Sequence, residues 1–96
     1  MARPEAEQQF IAEFTEACFT EARFEKAFSR MEEVGHETTK SNTGEFVRTA
    51  QADVLDEESD QIVGAAEALG VTMGDLTRGV IKVSAKVCAS WYLKQV

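Results

Sequence analysis

The sequence is short of cysteine, histidine, proline and positive charge, and each shortage closes off a class of protein. Cys18 and Cys88 are its only cysteines. They lie far apart and outside any close-spaced motif, so neither a disulfide-dense scaffold nor a zinc ribbon is expected. Two buried free thiols in a reducing cytosol fit better. His36 is the only histidine and sits in a polar stretch, so no metal site is expected. Proline occurs once and glycine six times, and no run is low in complexity, which argues against full disorder. No segment reaches the roughly 18 consecutive apolar residues of a membrane span. Met1-Ala2-Arg3-Pro4-Glu5 lacks the apolar run of a secretory signal. A cytoplasmic protein without membrane association is the expectation.

Basic residues number 10 against 17 acidic ones, a net charge of −7. That balance opposes generic binding to a phosphate backbone, which needs clustered Lys and Arg. The deficit is uneven. Residues 1–70 carry 16 acids and 6 bases, whereas residues 71–96 set Asp75 against Arg78, Lys82, Lys86 and Lys94. A cationic C-terminal segment on an acidic body suits self-association or a division of labour between the two ends.

Site chemistry is also sparse. Gly70, Gly74 and Gly79 lack the spacing and the lysine of a phosphate loop. Acid pairs such as Glu13/Glu16 and Glu57/Glu58 read as solvated helix faces. Cys18 falls on an apolar face and reads as core rather than nucleophile. No nucleophile is matched to a base, so the expectation is a protein that binds without catalysing, with no cofactor, catalytic residue or small-molecule substrate.

What is present is apolar periodicity. Hydrophobic residues form 44% of 96 residues, enough for one domain with a modest core and for a prior toward a homodimer. The pattern predicts a mainly α fold. Residues 1–35 read as a single long amphipathic helix: Pro4 suits its first turn, Phe10, Phe14, Ala17, Cys18, Phe24, Phe28 and Met31 share one side, and Gly35 closes it. Two residues break the stripe. Glu21 falls inside it and Phe19 outside. Phe19 is then either an ordinary surface residue or the mark of a partner interface. Residues 36–45 read as a loop.

Residues 46–54 admit two readings. From Arg48 the chain alternates, with Ala50, Ala52 and Val54 on one side and Thr49, Gln51 and Asp53 on the other, as in a strand. Ala, Gln and Asp are poor strand formers, so a helix stands as the alternative. Asp56 then reads as the N-cap of a helix carrying Ile62, Val63, Ala65, Ala66 and Leu69, closed by Gly70. Thr72-Met73-Gly74-Asp75 has the form of a capping box. The last helix, from Met73 toward Gln95, carries an apolar stripe of Leu76, Val80, Val83, Val87 and Trp91, with Arg78, Lys82 and Lys86 on another face.

The run from Ala66 to Ile81 resembles the helix–turn–helix part of ribbon-helix-helix regulators. Leu69, Gly70, Val71, Thr72, Leu76, Arg78 and Ile81 stand where that pattern wants them. The resemblance covers about Arg48 to Gln95. It implies a homodimer with paired strands whose polar side chains enter the DNA major groove. Thr49, Gln51 and Asp53 would be the DNA-contacting residues, and Thr72 would bring a helix N-terminus toward a phosphate. No base stands among those three groove residues, and the acidic run Asp56–Asp60 lies close behind them. The other expectation is an acidic, all-α module that binds a protein (an inhibitor, adaptor or subunit) and does not bind DNA. Phe19, Leu76, Val80, Val83, Val87 and Trp91 are the interface candidates; on the second reading Phe19 and the acidic first 70 residues would do the binding, against a basic partner surface.

Overall fold

A computed structural model describes residues 4–96. Five α-helices account for most of them, in the order α1 Pro4–Cys18, α2 Glu21–Glu33, α3 Thr43–Glu57, α4 Ser59–Leu69 and α5 Met73–Gln95. A single 3-10 turn, Lys40–Asn42, leads into α3. The mainly α expectation holds, and no strand occurs among the described residues.

The expected single N-terminal helix is two helices. Thr20 takes an extended backbone and its hydroxyl accepts the Arg23 N–H, capping α2. A threonine followed by Glu21 is a workable helix start, and Glu21 lies at the positive end of the new dipole. The break re-phases the apolar stripe. Phe19, off the stripe of a continuous helix, turns into the core and is only 5% exposed. Glu21, inside that stripe, turns out to solvent. The two irregularities are thus one feature, a helix boundary. α2 ends as expected at Gly35, whose φ of 87° is left-handed. The Gly35 and His36 N–H groups donate back to the Glu32 and Met31 carbonyls, in a Schellman closure.

Residues 46–54, which fit either a strand or a helix, form the middle of α3. Phe46, Ala50, Gln51 and Val54 are buried, spaced one and two helical turns apart, while Ala52 is exposed. The alternation of Ala50, Ala52 and Val54 was coincidental, and burial at helical spacing decided the outcome. Asp56 is no N-cap; it lies in the last turn of α3. The joint between α3 and α4 falls at Glu58, whose carboxylate is held by Arg23 at 2.6 Å.

α5 is the spine, packed against each of the other four helices. Leu76, Val80, Ser84, Cys88 and Tyr92 form its buried stripe, one residue every four. Such spacing falls 40° per step ahead of or behind the helix repeat, so the buried face winds round α5 and meets different helices along its length. At the C-terminal half, α5 joins α2 and α3 around an aromatic cluster. Phe46 stacks on Tyr92 at 4.8 Å and on Trp91 at 5.5 Å, and Phe24 lies 5.5 Å from Trp91. The Tyr92 hydroxyl donates to the Thr39 carbonyl at 2.7 Å, fixing the loop before α3. Beside the cluster α2 and α3 are joined by charge: Arg23 reaches Glu57 at 2.9 Å and Lys26 reaches Glu57 at 3.0 Å. Part of the acidic run expected to be solvated is therefore spent on internal ion pairs.

A candidate interaction surface on α5

One side of α5 is left partly uncovered. Between Gly79 and Lys94 it carries Lys82, Val83, Lys86, Val87 and Ser90, spaced three and four residues apart as one helix face requires. Val83 and Val87 are 45% and 41% exposed. The face is about 22 Å long, at 1.5 Å per residue. α1 flanks its first half and α2 its second, because the chain bends away between them at Phe19 and Thr20.

Two hollows lie along this face. The first, about 490 Å³, is lined by Glu7, Gln8, Ile11, Ala12, Gly79, Lys82 and Val83. The second, about 450 Å³, is lined by Phe24, Lys86, Val87, Ser90, Trp91 and Lys94. Gly79 shapes the first. A Cβ at this position would overlap the Ile11 side chain, so the absence of one is what lets α1 seat so closely on α5. Trp91 shapes the second, being half-buried in the aromatic cluster with an edge toward the groove.

The electrostatics of the face differ from the rest of the molecule. Lys82, Lys86 and Lys94 make no ion pair among the described residues, whereas Arg23, Lys26, Arg30, Arg48 and Arg78 all do. Arg78 is tied to Asp75 one turn earlier on the same helix. That contact first, and then the Thr72 hydroxyl, holds the Asp75 carboxyl below its usual range. Of the capping box expected here the N-cap half is realised, with the Thr72 hydroxyl accepting the Asp75 N–H at 3.1 Å, while the Asp75 carboxylate accepts from Arg78.

The other interface and contact candidates separate cleanly. Leu76 and Val80 are fully buried within the chain, and so is Phe19 to within 5%, so none of them offers a surface. Val83, Val87, Trp91 and the basic side chains Lys82 and Lys86 do come together. The residues expected to read DNA do not. Gln51 is buried, donating to the Ile81 carbonyl at 2.8 Å and the Ser84 hydroxyl at 3.0 Å, a polar clasp between α3 and α5. The Thr49 hydroxyl donates to the Glu45 carbonyl one turn back. Asp53 faces Arg30 at 3.9 Å. On a strand these three would have projected together; on a helix, 200° between alternate residues turns Gln51 into the core, away from Thr49 and Asp53, which stay on one side. Thr72 is occupied as a cap.

The remaining reactive groups sit in protective surroundings. Burial pushes the Cys88 thiol up to about 12. Burial, then the nearby Glu58, raises that of Cys18 against the opposing effect of Arg23. Neither thiol is ionised at neutral pH. Among the described residues, no three His, Cys, Asp or Glu side chains stand close enough to hold a metal ion. Among the described residues, no helix is long and apolar enough to cross a membrane.

Comparison with known proteins finds no significant match to any family model, curated protein or solved structure.

Sequence reasoning missed Lys94 and Gly79 as parts of this face. The signal for Lys94 was its position one helical turn beyond Ser90, eight residues after Lys86. That for Gly79 was a helix-breaking residue kept in the middle of a strong helix, which commonly marks a close approach.

Proposed function

We propose that this chain is a non-enzymatic helical module that binds another protein through the open face of α5. The observation that carries this reading is the coincidence of solvent-exposed Val83 and Val87 with Lys82, Lys86 and Lys94, which make no ion pair among the described residues, whereas of the other basic side chains described all but Lys40 are ion-paired. Apolar side chains in hollows, rimmed by charge, are the usual anatomy of a recognition surface. The polar residues expected to contact DNA make their contacts within the fold, which favours the protein-binding reading over the DNA-binding one.

The test is site-specific photo-crosslinking in the native host. Benzoylphenylalanine placed at Val87 is expected to give an adduct with one protein, identified by mass spectrometry and reconstituted from purified components. The same group at exposed Val63, on α4, is expected to give none. No adduct from Val87, or equal adducts from both positions, overturns the reading.

A further inference from the structure

We infer that the occupant of the α5 face is an acidic amphipathic helix of a partner protein, with two large apolar side chains about two turns apart seated in the two hollows. This rests on the interaction reading above and adds the chemistry of the partner. Three features of the face select it.

The first is shape. Val83 and Ser90, which line one hollow each, are seven residues apart and so about 10.5 Å along α5. A helix lying alongside α5 presents residues i and i+7 at that same interval. Both hollows are walled by carbon: Ile11 and Val83 in one, Phe24, Val87 and Trp91 in the other. Each has room for a leucine- or phenylalanine-sized group.

The second is charge. Lys82, Lys86 and Lys94 run along the face without a carboxylate partner among the described residues. A helix with Glu or Asp beside its apolar residues places opposite charge against them, speeding encounter and fixing register.

The third is what this molecule offers itself. Packing α5 of a second copy on α5 would set lysine against lysine. The outer face of α1 is acidic, but among its described side chains the exposed apolar ones are Ala12 and Ala17, too small to fill either hollow. α4 exposes a single valine. An anionic membrane would meet the lysines but also the net charge of −7 on the whole chain.

The experiment uses the full chain and a fluorescein-labelled peptide of about 18 residues, capped at both ends, with Leu at i, i+4, i+7 and i+11 and Glu or Ala elsewhere. Its control has the same composition in an order without helical periodicity. Anisotropy titrations at low and high salt give the affinities, and Trp91 emission reports occupancy of the second hollow. The periodic peptide is expected to bind at least about tenfold more tightly than the control, more weakly in high salt, and with a Trp91 spectral shift. Val87→Asp and Lys86→Glu, both exposed and expected to fold normally, should each weaken it by about tenfold or more.

Equal affinity for the two peptides, or no binding, overturns the inference even where the Val87 adduct is found, leaving the wider reading intact. Sedimentation showing a dimer that Lys86→Glu dissolves overturns it in favour of a second copy. Tight binding to phosphatidylglycerol vesicles, lost in Val87→Asp while the peptides remain equivalent, overturns it in favour of a lipid surface.

Discussion

Two faces of α5 are finished differently. Its inner face is closed over at the C-terminal half by α2 and α3, with an aromatic cluster, a buried hydroxyl and two cations bridging those helices. Its outer face, from Gly79 to Lys94, is only flanked, by α1 seated through a glycine and then by α2, and is left as valine and lysine. The first arrangement spends its chemistry on internal cohesion. The second keeps charge and apolar area in reserve. Both follow from one spine whose buried stripe winds as it runs, so no single neighbouring helix can cover it from end to end.

The largest expected effect is at the closed end. Phe46 is fully buried and stacks on both Tyr92 and Trp91. Phe46→Ala should cost about 3–5 kcal/mol in urea unfolding, a large share of a small domain's stability. A loss under about 1 kcal/mol would mean that the cluster does not hold this end together.

At the α1 junction the expectation is a change of sign. Alanine at Gly79 gains about 1 kcal/mol in helix propensity but loses about 1–3 kcal/mol to overlap with Ile11. Gly79→Ala should therefore destabilise the wild type and stabilise an Ile11→Ala background. Stabilisation in both would show that the close seat of α1 is not needed.

Tyr92→Phe removes only the hydroxyl that holds the Thr39 carbonyl. It should cost about 1 kcal/mol and raise amide exchange in the loop before α3, leaving α1 unaffected. Uniform loosening, α1 included, would contradict a role confined to that loop.

A smaller effect separates the paired surface from the open one. Glu45 is held below the usual carboxylate range by Arg48, first by a hydrogen bond, and Glu57 likewise by Lys26. A carboxyl whose folded value is depressed adds stability above the ordinary carboxylate range and loses it as pH falls through the folded value. The thermal midpoint should hold steady from neutral pH to about 5 and then decline. Lys26→Ala should make that decline shallower, whereas Lys86→Ala, on the open face, should leave its slope unchanged.

Much of this architecture is legible in the residues. Gly35 and Gly70 end helices, Thr72 caps α5, and Lys82 and Lys86, four residues apart, share a side as their spacing requires. Two features are not decided by the sequence, for one physical reason. Phe19 and residues 46–54 each fit two periods, and local pattern does not choose between them. The choice is made by burial against distant partners: Phe46 against residues 45 and 46 places later, and Gln51 against Ser84. Sequence also shows which residues are apolar without showing which are already covered. Leu76 and Val80 looked as available as Val83 and Val87, and only the winding of the buried stripe separates the two pairs.

The most direct test of the open face is a map of where the acidic amphipathic peptide binds. In 15N-labelled protein, backbone amide shifts should move along residues 79–94 and in the parts of α1 and α2 that line the hollows, with the Trp91 indole among the most affected. Shifts centred on α4, or none at saturating peptide, would contradict the account.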